Sequence, residues 1–578
     1  MTTVERPPRT GLSRTASGDD VPLAAERARR GLDLDGRLFG WLAPIGITLL
    51  ALGLRLWHLG SPKEFEFDET YYAKDAWSLL HNGYVRGYVE NVDKVEVNDA
   101  ILDGRTTGLW TGDPAMVVHP EAGKWLIALG EKAFGMDPFG WRISAAVVGA
   151  LMVLVMCRLA RRLTGSTLLG CVAGLLLTFD GLQFVLSRLA LLDIFLAFFL
   201  LCGVACLVND RCWFRARMAT LLEEQGDGQV RRPRDWGPVR GLLFRPWLLL
   251  GGVSFGLAVG TKWTALFPMA ALGVLAWLWS AGARRSFGVR WPVLRSAVVD
   301  GLPAFGQLVL VALVVYVTTW TGWLVHADAY EEHLSSTQYT RFEAEKPCKN
   351  GETDNTLNDD RWPTATEKDA SGAGEVVQSL RSLWYYHQDV YAFHAHFLNC
   401  SDHTYASKPL GWMFVNRPVG VAADTGIRPG TRGCDAPPGS DCLRQVLLIG
   451  TPMIWWAGIL ALLYAVAMWV GGRDWRFGLA VVGVGSTWLP WLMYDDRPIF
   501  FFYAIAMLPF IVLALTLTIG KLIGTSRLPS NRRTTGVIVA GSFVVLVLLN
   551  YAWFWPIWTN GLLTKSEWLD RVWFQRWV

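Results

Sequence analysis

The chain has little net charge. Its 54 Lys and Arg stand against 50 Asp and Glu, a formal charge of +4 over 578 residues. That excludes a nucleic-acid partner and leaves the basic residues to report topology and contact with anionic lipid. Cysteine is scarce, nine in all, and none stands at a metal-ligand spacing. There is no internal repeat and no long low-complexity tract. A cleavable signal peptide is also missing: the first 37 residues are polar and Arg-rich, so residues 1–40 are expected to be a disordered cytoplasmic segment and the first apolar stretch to act as its own insertion signal.

What the chain has in abundance is apolar sequence: 52% hydrophobic residues and 30 Trp, too much for an ordinary soluble protein. About eleven stretches are long enough to cross a bilayer as helices. They are Trp41–Trp57, Trp141–Ala160, Ser166–Val185, Leu189–Val208, Trp247–Trp263, Ala265–Ser280, Leu302–Val325, Val446–Val470, Leu479–Met493, Pro498–Thr518 and Gly536–Trp555. With eleven spans, the Arg-rich segments at Arg6–Arg37, Arg158–Arg162, Arg211–Arg245, Arg284–Arg295, Arg473–Arg476 and Lys521–Arg533 all fall on one side. The positive-inside rule makes that side cytoplasmic, with the N-terminus inside and the C-terminus outside the plasma membrane. The expected class is an all-α polytopic membrane protein. A transmembrane module at 41–325 carries an external loop at 60–140, a large external loop occupies 326–445, and a C-terminal transmembrane module at 446–555 is followed by a tail at 556–578. Cys348, Cys400, Cys434 and Cys442 fall in the large external loop, where Cys434 with Cys442 is the first pairing to expect and Cys348 with Cys400 the other.

The first loop holds "FEFDETYYAKDAW", with the acidic pair Asp68 and Glu69 ahead of an amphipathic pattern running to Leu80. The pattern predicts a helix on the membrane surface, with Asp68, Tyr71, Tyr72 and Asp75 on one face. Ionisable residues at span ends cost several kcal/mol unless they face protein or water. Asp180, Arg188, Asp193, Lys262, Asp495, Asp496, Arg497 and Arg142 all fall at the outer boundary, as do Asp68 and Glu69. Ordinary inter-helix ion pairs are the bland explanation for any one of them. Arg and Lys beside the bilayer edge suit a lipid-borne phosphate, and a carboxylate nearby suits proton removal from an incoming hydroxyl. Together they describe transfer of a group from a lipid phosphate to an alcohol. Phosphate leaves readily once its charge is held, so one base without a paired acid suffices, and direct displacement inverts the anomeric centre.

In order along the chain, "FDE" from Phe67, "HPEAGKW" from His119, "WRISAA" from Trp141, "SRLALLD" from Ser187 and "GTKWTALF" from Gly260 resemble the signatures of protein O-mannosyltransferases. So do "HTYASKPLGWMFVNRPV" from His403, "GTPMIWW" from Gly450 and "RPIFFFYAIAMLPF" from Arg497. The likeness is nearest in style to actinobacterial members. It implies a GT-C membrane glycosyltransferase that moves mannose from polyprenyl-phosphate mannose to Ser or Thr of secreted proteins, without cofactor or metal, with a link to the secretion translocon. By resemblance Asp68 maps onto the catalytic base, Glu69 onto a second acid that binds or positions the acceptor, and Arg142 onto the family's arginine. Charge and location add Arg188, Lys262 and Arg497 as donor-phosphate or sugar groups, and Tyr72, His119, Lys124, Asp193 and Asp496 as pocket candidates.

The chain departs from eukaryotic relatives in three ways. Its large loop is too short for their lectin-like insertion, Thr451 stands where relatives often have Asn, and Phe502 and Tyr503 stand where they have His. Asp68 has a competing reading as the N-cap of the following helix. His387, His394, His396 and His403 lack an acidic partner at ligand spacing, and aromatic or surface packing is the expectation for them. Two alternatives remain: a related GT-C transferase acting on lipid or cell-wall polysaccharide, and a lipid-linked-sugar transporter, which would place its charges at mid-membrane.

Overall fold

A computed structural model describes residues 35–224, 236–336, 361–395, 397–524 and 530–578, and a helix overlaps each of the eleven expected stretches. They are α1 (Phe39–Leu56), α4 (Pro138–Thr164), α5 (Thr167–Thr178), α7 (Leu192–Glu224), α8 (Pro246–Val259), α9 (Leu266–Ser286), α10 (Pro292–Thr318), α12 (Pro452–Val470), α13 (Trp475–Trp488), α14 (Leu508–Ile523) and α15 (Asn531–Trp558). Eight are long and apolar enough to cross a bilayer, α8 and α9 when taken with the turns that lead into them, as Arg240–Val259 and Trp263–Ser286. The shorter three, α5, α13 and α14, have 12, 14 and 16 residues. Outside this set lie α2 (Glu69–Asn82), α3 (Ala122–Phe134), α6 (Gly181–Leu186) and α11 (Ala373–Ala395).

Several boundaries differ from the sequence expectation, each for a local reason. The stretch Ser166–Val185 is not one helix. Asp180 interrupts it and caps α6, its carboxylate accepting from the Gln183 N–H at 3.1 Å, the Thr451 N–H at 3.1 Å and Trp455 Nε1 at 2.9 Å. Helix α7 runs on to Glu224, well past Val208, because protein covers its charged turns: Asp210 pairs with Arg245, and Arg211 lies 3.5 Å over the Trp475 ring. The start of the eighth expected span, Val446–Leu448, is sheet.

Contacts among the basic segments tie one end of the bundle together. Arg161 donates to the Asp35 carbonyl and to Thr167 Oγ1, and Arg476 donates to the Leu163 carbonyl. The two larger polar segments gather with the opposite helix ends. In the first, α2 packs against α3 and a short antiparallel pair, β1 (Arg86–Tyr88) with β2 (Trp110–Pro114). In the second, β3 (Val419–Ile427) and β4 (Cys442–Leu448) form an antiparallel sheet whose third strand, β5 (Leu562–Thr564), comes from beyond α15. The tail is therefore part of the sheet: Trp568 Nε1 donates to Gln445 Oε1 at 2.7 Å and Trp577 is buried. Cys434 and Cys442 form a disulfide, whereas the Cys348–Cys400 pairing lies outside the described residues.

Candidate active site

The site begins with a turn. Phe67 takes φ +52°, a backbone region that bulky residues rarely occupy. Its ring is held edge-on by His403, Phe500 and Phe502 at centroid distances of 5.9, 5.4 and 5.6 Å. Asp68 follows at the N-cap position of α2, but its side chain makes no capping bond. Instead Oδ2 accepts from the Tyr72 hydroxyl at 3.3 Å. The carboxylate is thus left for another use, and it keeps some exposure. Burial lifts it to about 6, with Lys262 and the Tyr72 hydroxyl opposing the rise and Asp193 adding to it. Helix α2 itself is mostly buried, so it is packed into protein and does not lie free on a surface. Tyr71 points away, 53% exposed, because one residue turns a helix by about 100° and separates it from Tyr72.

Glu69 faces inward and is fully buried. Oε1 accepts from Arg142 Nε at 2.9 Å and the Ala190 N–H at 2.8 Å; Oε2 accepts from Arg142 Nη2 at 2.7 Å and the Glu66 N–H at 3.0 Å. Arg142 spends its other donors on the Pro62 and Glu64 carbonyls, both at 2.9 Å. Neither residue has a group left for a ligand. The surroundings of Glu69 suit its expected positioning role, and neither Glu69 nor Arg142 lines the cavity described below. Arg188 does not line the cavity either: its Nη1 and Nη2 close the end of α1 through the Arg55, Trp57 and His58 carbonyls. Lys124 is buried against Asp75 at 2.9 Å, and Asp496 is exposed outside the cavity.

A cavity of about 270 Å³ opens next to this turn, with Asp193, Lys262, His119, His394, Arg497 and Tyr503 among its walls. Lys262 donates to Asp193 at 2.7 Å and sits 5.0 Å over the Tyr503 ring. Among the described residues Arg497 has no carboxylate partner: Nη1 donates to His394 Nδ1 at 3.0 Å and to the His394 carbonyl at 3.1 Å, and Nε is buried without a bond. Burial, with Lys262 and other cations, keeps His119 well below the usual imidazole range. A second, apolar space of about 840 Å³ shares Trp263, Leu266 and Tyr391 with the first and runs between α8, α9, α10 and α11. One polar chain crosses its wall, from Trp263 Nε1 to the Tyr316 hydroxyl at 2.8 Å and on to His387.

Of the predicted set, Lys262, Asp193, His119 and Arg497 come together on the cavity, with Asp68 and Tyr72 beside it. His394, expected as a packing residue, is a cavity wall, and Tyr391, Tyr494 and Tyr503 were not singled out as site residues. The available signal was helical spacing: Trp384, His387, Tyr391 and His394 recur every three or four residues along one face of α11. Thr451 is structural, donating to the Phe179 carbonyl at 2.7 Å and accepting from the Gly181 N–H at 3.0 Å. Among the described residues no three His, Cys, Asp or Glu side chains are grouped to hold a metal; His396 is outside those residues.

Residues 45–222 match the family model for dolichyl-phosphate-mannose-protein mannosyltransferase, and residues 379–577 match that for the C-terminal four-helix membrane region of protein O-mannosyltransferase. The polyprenol-phosphate-mannose–protein mannosyltransferase of Mycolicibacterium smegmatis is 35% identical over 94% of this chain and 93% of its own length. The enzyme of the same name from Mycobacterium tuberculosis is 34% identical over 94% and 92%, and that from Corynebacterium glutamicum 30% over 88% of each. Among solved structures, the S. cerevisiae Pmt1–Pmt2 complex bound to the sugar donor superposes with a TM-score of 0.63 at 13% identity, covering 96% of this chain and 94% of that one.

Proposed function

Since the chain belongs to the protein O-mannosyltransferase family, we propose that it transfers mannose from polyprenyl-phosphate mannose to Ser or Thr hydroxyls of polypeptides at the extracytoplasmic face of the plasma membrane. The observation that carries this reading is one cavity holding a cation without a carboxylate partner among the described residues, Arg497, beside a partly exposed, weakly acidic carboxyl, Asp68, and sharing the walls Trp263, Leu266 and Tyr391 with an apolar groove.

The chemistry follows from those three parts. Arg497 and Lys262 hold the donor phosphate, and the groove between α10 and α11 receives the isoprenoid chain. The acceptor hydroxyl approaches past Phe67. Its oxygen bonds to the anomeric carbon as the bond from that carbon to the phosphate oxygen breaks, and its proton passes to Asp68. The electron pair of the broken bond leaves with the phosphate, whose charge Arg497 stabilises. One displacement inverts the anomeric centre, and neither cofactor nor metal has a part in it. Glu69 and Arg142 fix the turn that presents Asp68. The positive-inside rule supports the orientation in this reading, with the basic connections and the N-terminus inside and the C-terminus outside.

The test is mannose transfer from polyprenyl-phosphate mannose to a Ser/Thr-rich peptide, by membranes with equal amounts of wild type and Asp68→Asn. The variant is expected to lose about a hundredfold or more. Transfer to lipid or polysaccharide with none to peptide would move the acceptor class. An Asp68→Asn protein as active as wild type would take the base away from Asp68.

A further inference from the structure

We propose that His394 is a positioning residue that holds Arg497 in the cavity wall as a cation left free for an anionic ligand. This rests on the reading of Arg497 as a donor-phosphate group.

The protonation of His394 follows from its neighbours. A guanidinium can only donate, so the His394 Nδ1 that receives Arg497 Nη1 at 3.0 Å is the bare nitrogen. The ring hydrogen is then on Nε2, which donates to the Val118 carbonyl at 3.1 Å. Both nitrogens are spent, and the ring is a neutral acceptor toward Arg497. Lys262, the other Lys or Arg side chain in the cavity wall, meets a carboxylate, Asp193, as do Lys124 with Asp75 and Arg142 with Glu69 nearby, while Arg188 is held by backbone carbonyls and does not line the cavity. Of the two that line the cavity, Arg497 alone is oriented by neutral acceptors, the His394 ring and carbonyl, so its full charge remains for a ligand, and its buried Nε is without a bond among the described residues.

Position supports the same role. The His394 ring stacks on His119 at a centroid distance of 5.3 Å and lies edge-on to Trp263 at 6.4 Å. It thereby joins three segments distant in sequence: the Val118–His119 turn, the end of α11, and the Arg497 turn between α13 and α14. A positioning residue and a purely structural bridge differ in what their loss does to the donor KM.

The experiment is a double-mutant cycle read as the donor KM against kcat, using polyprenyl-phosphate mannose and a fixed peptide, with thermal unfolding in detergent for each variant. His394→Gln keeps a neutral acceptor and a donor, and its donor KM is expected within about threefold of wild type. His394→Leu removes the acceptor, and His394→Glu keeps one but neutralises Arg497. Each should raise donor KM about tenfold or more, with a smaller change in kcat. In an Arg497→Ala background His394→Leu should add less than about twofold. A His394→Leu effect of unchanged size in that background, a wild-type donor KM for His394→Leu, or a wild-type donor KM for His394→Glu would each overturn the inference. The single Arg497→Ala variant tests the underlying reading by itself: an unchanged donor KM there removes Arg497 from the donor site, whatever His394 does.

Discussion

Asp68 owes its basicity to its setting. A carboxyl in water titrates near 4 and would be a feeble base at neutral pH, whereas burial raises this one to about 6. Since the ionised form does the work, activity should be constant well above pH 6 and fall about tenfold per unit below it. Tyr72→Phe removes a hydrogen bond that favours the ionised carboxylate, so its acidic limb should move to higher pH. Profiles of kcat/KM for the acceptor would show this, and a limb near pH 4, or one that Tyr72→Phe leaves in place, would contradict it. At this scale much of the site was legible in the sequence, because charges at span ends are costly and so stand out. Which charges were already compensated was not legible. Arg142 and Arg188 look like Arg497 on paper, and only the carbonyls and carboxylate around them, contributed by remote segments, show that they are engaged away from the cavity.

The turn before α2 is held by α4 and by the segment entering α7, through one bidentate pair with both partners out of water. Replacing one member of such a pair leaves the other charge buried alone, which costs about 3–5 kcal/mol. Glu69→Ala should therefore lower the thermal unfolding midpoint and the amount of protein in membranes. A variant as stable as wild type, with only its acceptor KM raised, would instead return Glu69 to acceptor binding. The helices themselves were largely legible, since apolar runs of bilayer length have few other fates. Their ends were less so. The break at Asp180 depends on donors from Thr451 and Trp455, far along the chain, and the extension of α7 to Glu224 depends on Arg245 and Trp475 covering its charges.

For the whole molecule, the site exists only where both polar segments meet the helix ends, and the groove between α10 and α11 shares the walls Trp263, Leu266 and Tyr391 with the site cavity. Leu313 lines the groove and is 55% exposed. Leu313→Trp should raise the KM for a long-chain donor while leaving a donor with one or two isoprene units nearly unaffected, in assays run side by side. Equal effects on both donors would mean that the chain takes another path. No local pattern announced this groove, because its walls are apolar residues of four helices, each ordinary for a membrane helix by itself.

The pairing of β4 with β5 bears on the order in which the protein can be finished. Cys442–Leu448 leaves the ribosome before α12, α13, α14 and α15, and its partner Leu562–Thr564 only after all four. Until then one edge of β4 has no neighbour, and Trp577 has not reached its place in the core. Assembly of this sheet is thus withheld until the last helix has been threaded, so that a nascent chain stalled before residue 562 would be left with an open strand edge for quality-control proteases to find.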